Sequence, residues 1–162
     1  QQLRQIARKQ LRAGWEEAPP TEALVNEAYL KLLGGEFPDL ESRVQFFGVA
    51  SRAMRQVLID RARKLRASKR GGEWARTSLS GKEMKSLQSA EELLALNAAL
   101  TKLAELDERL ARVVECRFFG GMTEKEIGQL LGVSAKTVRR DWAQARAWLH
   151  SQLTSEGGAA PR

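Results

Sequence analysis

The sequence predicts an all-α protein built as two small helical domains joined by a flexible linker. Apolar residues recur at helical spacing along most of the chain, and no alternating β-branched run appears among them. Glycine pairs and proline-containing loops punctuate the pattern at Gly14 to Pro20, Gly34-Gly35, Phe37-Pro38-Asp39 and Gly120-Gly121. Between Ala67 and about Ser89 the composition shifts to Ser, Gly, Lys and Glu with few apolar residues, which separates an N-terminal from a C-terminal helical region.

Each element follows from local pattern. A first helix is read over Leu3 to Leu11. A second starts near Thr21, carries Leu24, Val25, Ala28, Tyr29 and Leu32 on its apolar side, and stops at the glycine pair. The third, about Arg43 to Arg66, sets Phe46, Val49, Ala50, Ala53 and Val57 on one face and Arg52, Arg55, Arg63 and Arg66 on the other. Periodicity resumes at Glu91 and runs through Leu100, Leu103, Leu106, Leu110, Val113 and Val114, which predicts one long amphipathic helix. Two shorter helices follow, Thr123 to Leu131 and Ala135 to about Leu153. The expected organisation is therefore a helical domain over 1–66, a linker over 67–93, a second domain over 94–153 and a disordered tail over 154–162.

Charge narrows the partners. The 162 residues carry a formal charge of +7, and the isoelectric point lies near 10.0. Such a balance favours a polyanion, because clustered Lys and Arg neutralise phosphates and release condensed counterions. The cations are unevenly placed: Arg52, Arg55, Arg61, Arg63, Lys64, Arg66, Lys69 and Arg70 are opposed over that stretch by Asp60 alone. One cysteine, Cys116, excludes an intrachain disulfide framework and a Cys-rich zinc site. Basic residues interrupt every apolar stretch before membrane-spanning length and no signal-peptide pattern opens the chain, so a cytoplasmic protein without membrane insertion is expected. Gln1 opens inside a helical pattern without an initiator Met, so the natural N-terminus is expected to lie upstream.

The strongest motif runs from Met122 to Trp142. Thr123 and Glu126 form a Thr-x-x-Glu capping box, Ile127, Leu130 and Leu131 supply an inner face, Gly132 permits a sharp turn, and Ser134 caps the next helix. Two helices about a Gly-Val-Ser turn match the DNA-binding helix-turn-helix, whose second helix enters the major groove. At about 100° per residue, Val138, Trp142, Ala145 and Leu149 of that helix turn inward. Lys136, Arg140, Ala143 and Ala147 lie opposite, with Arg139 and Gln144 on the flanks. Arg donates two hydrogen bonds to guanine, Gln pairs with adenine, and Lys136 suits a phosphate. Ser134 and Thr137 sit at a helix N-terminus, where the dipole also favours phosphate. The bland alternative, a helical hairpin with a solvated basic face, does not account for cap, glycine turn and basic helix occurring together.

Four stretches extend the reading: Ala23-Leu-Val-Asn-Glu-Ala-Tyr-Leu-Lys-Leu; Phe46-Phe-Gly-Val-Ala with Ala53-Met-Arg and Leu58-Ile-Asp-Arg-Ala-Arg; Arg117-Phe-Phe-Gly-Gly-Met-Thr; and Arg140-Asp-Trp with Ala145-Arg-Ala-Trp-Leu. In this order they resemble the extracytoplasmic-function (ECF) sigma factors of bacterial RNA polymerase, in particular an ECF-like subset of the sigma-70 family. The resemblance implies two domains, conserved regions 2 and 4, that bind core polymerase and direct it to promoter DNA. It implies that Leu24, Val25, Asn26, Glu27 and Tyr29 belong to the helix that docks on the polymerase clamp. It further implies that the segment between Gly34 and Gln45 captures an unstacked base of the downstream element. An aromatic platform beside basic groups suits that task, with Phe37, Arg43 and Gln45 as candidates and Phe46 assigned to the core. Arg52, Arg55, Arg63 and Arg66 would contact promoter phosphates, and Ser134, Lys136, Thr137, Arg139, Arg140 and Gln144 the upstream element. Factors of this kind are often held by an anti-sigma protein, a partner that no residue here identifies.

Two other classes compete. A helix-turn-helix regulator acting without polymerase would bind a palindrome as a dimer. A recombinase or transposase would need a nucleophile or metal-binding carboxylates, and Glu16, Glu17, Glu22, Glu27, Glu36, Asp39, Glu41 and Asp60 show no metal-ligand spacing. No catalytic residue, metal or cofactor is expected. His150 reads as a surface residue and Cys116 as core.

Overall fold

The structure, a computed structural model, describes residues 42–70 and 81–157. Every regular element among them is helical: α1 (Arg43–Arg70), α2 (Gly81–Leu106), α3 (Glu108–Val114), a π-helical turn (Glu115–Phe119), α4 (Glu124–Leu131) and α5 (Ala135–Gly157). The protein is all-α, as its periodicity predicts. The helices expected over Leu3–Leu11 and from Thr21, and the loop with Phe37, lie outside the described residues. Residues 81–93, assigned to the linker by composition, are helical and form the first half of α2. The last helix reaches Gly157, beyond the expected stop near Leu153.

The chain divides into two compact units, Gln1–Pro38 with Ala53–Leu94, and Asp39–Arg52 with Ala95–Arg162. In the first, α1 buries Ala53, Met54, Val57, Leu58, Ile59 and Ala62, and α2 buries Ala90 and Leu93. Spacings of three and four residues relate these side chains, and in α1 they cover more than half of the helix circumference. Arg63 and Lys64, beyond the last of these buried side chains, are exposed, with Arg63 3.7 Å from Asp60 one turn earlier.

In the second unit α5 packs against both α3 and α4. Its core combines Ala99, Leu100 and Leu103 with Leu110, Val113, Val114, Cys116, Phe119, Met122, Ile127, Val138, Ala145 and Leu149. The start of α1 contributes Phe47 and Ala50. Phe46, expected in the core, is only half-buried, and its neighbour Phe47 takes that place at 8 % exposure. The inner arc of α1 runs 47, 50, 54, 57, one residue off the expected register at its start.

The long helix expected from Glu91 to Gly120 is broken. The Leu103 carbonyl accepts from the Asp107 N–H at 2.7 Å, and Asp107 then extends (φ −154°, ψ 102°) so that its carboxylate accepts from the Leu110 N–H at 3.2 Å. An aspartate N-cap thus starts α3 inside an unbroken apolar pattern. Because the chain turns there, Leu106, counted in the apolar stripe, is 70 % exposed. At its far end α3 widens into the π turn, where the Gly120 N–H donates to the Glu115 carbonyl at 3.3 Å. Gly121 follows at φ 61°, a left-handed conformation natural to glycine.

Two close approaches fix this corner. A side chain at Gly48 would meet Leu130 at 2.8 Å, and one at Gly120 would collide with the Ser51 hydroxyl and, at 2.6 Å, with the Cys116 carbonyl. Ser51 is buried, and its hydroxyl donates to the Phe47 carbonyl at 2.7 Å and contacts the Met122 sulfur at 3.8 Å, 71 residues away.

Candidate nucleic-acid interface

The helix-turn-helix is built as its cap residues dictate. Thr123 is the N-cap of α4: its hydroxyl accepts from the Glu126 N–H at 3.1 Å, while the Glu126 carboxylate accepts from the Thr123 N–H at 2.9 Å. Gly132 ends α4 at φ 71°, and the Val133 N–H donates to the Gly128 carbonyl at 3.0 Å. Gly128 lies so close to this turn that a Cβ there would sit 2.6 Å from the Val133 carbonyl oxygen. Ser134 starts α5, its hydroxyl accepting from the Thr137 N–H at 3.1 Å and donating to the Thr137 hydroxyl at 3.0 Å. That bond commits the Ser134 proton and leaves the Thr137 hydroxyl proton to donate elsewhere.

On α5, Val138, Ala145 and Leu149 are buried, whereas Trp142 is only half-buried. Leu130 and Leu131 of α4 are likewise half-buried, and Ile127 and Gly128 supply that helix's buried face. Lys136, Arg139, Arg140, Ala143, Gln144 and Ala147 are exposed, as is Ser134; Thr137 is half-buried. The six residues proposed from sequence for the upstream element are thus brought together on the first turns of one helix.

Their surroundings contain partners that periodicity did not reveal. Arg139 donates through Nε to one oxygen of Glu124 at 3.1 Å, and its Nη2 lies 3.1 Å from the same oxygen. Arg117 donates to the other oxygen at 3.1 Å, and its guanidinium lies 4.7 Å over the Trp142 ring. Hydrogen bonds from Arg139 and Arg117 hold the Glu124 carboxyl below the usual carboxylate range. Beneath the same helix, Asp141 is 2 % exposed and is held by Arg109, Nε at 2.8 Å and Nη2 at 3.3 Å. One clue to this pair was in the sequence: position 141 falls on the inward arc with 138, 145 and 149, where an acid needs a cation. Glu124 left no comparable clue, because it lies 15 residues from Arg139 and on another helix.

The downstream candidates divide. Phe37 lies outside the described residues, as do the clamp candidates Leu24, Val25, Asn26, Glu27 and Tyr29. At the start of α1, Ser42 accepts from the exposed Gln45 N–H at 3.2 Å, and Arg43 stacks 5.3 Å from the centre of the Phe47 ring. Arg52 is 3.4 Å from Glu115, a buried acid that Arg112 also holds. Arg55 and Arg66 are half-buried and Arg63 is exposed. Burial pushes the neighbouring Cys116 thiol up to about 11.

The family model for ECF sigma factors matches residues 1–155. The chain belongs to the ECF sigma factor family. No curated protein and no solved structure matches it. As an ECF sigma factor the protein serves RNA polymerase in promoter recognition, and its family partners are core polymerase and promoter DNA. Sigma factors of this family are DNA-binding regulatory subunits. No described helix is long and apolar enough to cross a membrane, and no group of described side chains could hold a metal ion.

Proposed function

We propose that this sigma factor reads a promoter at two places: the upstream element as duplex through α5, and the downstream element as an opened strand through the segment ending in the first turns of α1. The single observation that carries the reading is the exposed face of α5, with Lys136, Arg139, Arg140 and Gln144 around the small Ala143 and Ala147. Small residues between long donors let a helix approach base edges in the major groove. Arg139, Arg140 and Gln144 are the base readers of this face; Lys136, Thr137 and the N-terminal amides of α5 bind phosphate.

For the downstream element, Phe37, Arg43 and Gln45 receive an unstacked base. Arg52, Arg55, Arg63 and Arg66 neutralise phosphates along α1. Leu24, Val25, Asn26, Glu27 and Tyr29 belong to the surface that meets the polymerase clamp. In this reading 1–66 and 94–153 carry the two promoter-reading modules.

The test is direct: the full chain is added to bacterial core polymerase, and promoter-directed initiation is measured on a genomic template library. Enrichment of start sites sharing a two-part upstream motif is expected. No association with core at low salt would overturn the proposal, and binding to a palindrome as a dimer without core would replace it with a conventional regulator.

A further inference from the structure

The guanidinium of Arg139 is bound along one edge. Nε and Nη2 present parallel hydrogens on that edge; Nε donates to one oxygen of Glu124 at 3.1 Å, and Nη2 is ion-paired with the same oxygen at 3.1 Å. What remains is the end fork, Nη1 with the second Nη2 hydrogen, on a side chain that is 72 % exposed. An end fork of two parallel donors matches the O6 and N7 acceptors of guanine. Glu124 is itself fixed: it occupies the first turn of α4, directly after the Thr123 cap, and its other oxygen is taken by Arg117 at 3.1 Å. Arg117 in turn is stacked at 4.7 Å on Trp142, a residue of the same helix as Arg139. These contacts run from Arg139 through Glu124 and Arg117 to Trp142 and return through the backbone of α5, so the carboxylate is held from both sides.

We propose that Glu124 is a positioning residue for base recognition, holding one edge of Arg139 so that the other edge reads a guanine in the major groove. An exposed arginine loses much rotamer freedom when it binds. One already held by a carboxylate has lost it before the DNA arrives, and its geometry favours a base edge over the looser phosphate contact. The anionic Glu124 also disfavours a phosphate in its own place, which sharpens the same choice.

The inference rests on the proposal that α5 reads duplex DNA, and the test separates the two. Full-length wild type, E124Q, R139A and the double variant are each bound with core polymerase to a randomised duplex library, and base preference is read at every position. R139A is expected to flatten one guanine position by about tenfold, the scale of a lost bidentate contact. E124Q is expected to flatten the same position while leaving the others unchanged, and the double variant to be no flatter than R139A. Helical circular dichroism and melting temperature check the fold of each; should E124Q melt, E124D withdraws the carboxylate by one methylene and serves the same readout. A guanine preference unchanged by the Glu124 variants would overturn the proposal. So would uniform weakening on all sequences, or an R139A profile of wild-type shape. A library from which wild type enriches nothing removes the duplex-reading proposal itself, and this inference with it.

Discussion

Arg140 and Lys136 stand four residues apart on the exposed arc of α5, yet their chemistry predicts different losses. Arg140→Ala is expected to cost about 1 to 3 kcal/mol at one base pair and relax preference there, whereas Lys136→Ala should weaken all duplexes alike. Competition binding against single-base variants distinguishes them. Glu124 gives a pH signature. Its carboxyl is held below its ordinary value of 4.5 in the folded protein, chiefly by the Arg139 hydrogen bond. The stability it contributes is therefore present above that value and lost as pH falls through the lowered one. E124Q should remove this component from an acid titration of melting temperature. Cys116 behaves oppositely: its thiol, ordinarily near 9.0, is pushed up to about 11 by burial. Folded protein therefore keeps it neutral, and stability falls as pH rises from the lower value toward the higher. Alkylation of Cys116 at neutral pH is expected to be slow in the folded protein and to track unfolding in denaturant.

At the scale of elements, the caps hold the helix-turn-helix together. Thr123→Ala removes the acceptor for the Glu126 N–H and is expected to cost about 0.5 to 2 kcal/mol, read from urea unfolding. The same elements were the most legible in the sequence, because a capping box, a left-handed glycine and a serine cap are local signals that neighbouring residues set by themselves. Less legible was the region between Glu91 and Gly120. An apolar repeat passes through Asp107 without interruption, and only the aspartate's own capping bond divides α2 from α3. Composition likewise hid the first half of α2, whose residues 81–89 are mostly polar and yet helical. The register of α1 turned on a choice between adjacent phenylalanines that periodicity alone does not make; the tight fit of Gly48 against Leu130 accompanies the one found. The candidate site was visible as a list of basic residues on one helix. Its acids, Glu124 and Glu115, were not, since both act on cations supplied by other elements.

For the molecule as a whole, the 27 Lys and Arg residues overstate what is free to meet a polyanion. Arg139 and Arg117 share Glu124, Arg109 holds Asp141, and Arg52 and Arg112 share Glu115. Of these, Arg52 is the one proposed to meet a downstream promoter phosphate, and it remains 62 % exposed while paired. Salt reports on it. Each cation that settles on a phosphate adds about 0.7 to 0.9 to the slope of log affinity against log salt. If Arg52 leaves Glu115 for the DNA, Arg52→Ala lowers that slope by about one such increment; if it stays, the slope is unchanged and only stability falls. In the proposed reading, the buried glutamate at the start of the π turn is an internal counterion that competes with promoter phosphate for the same arginine just as a solution anion would.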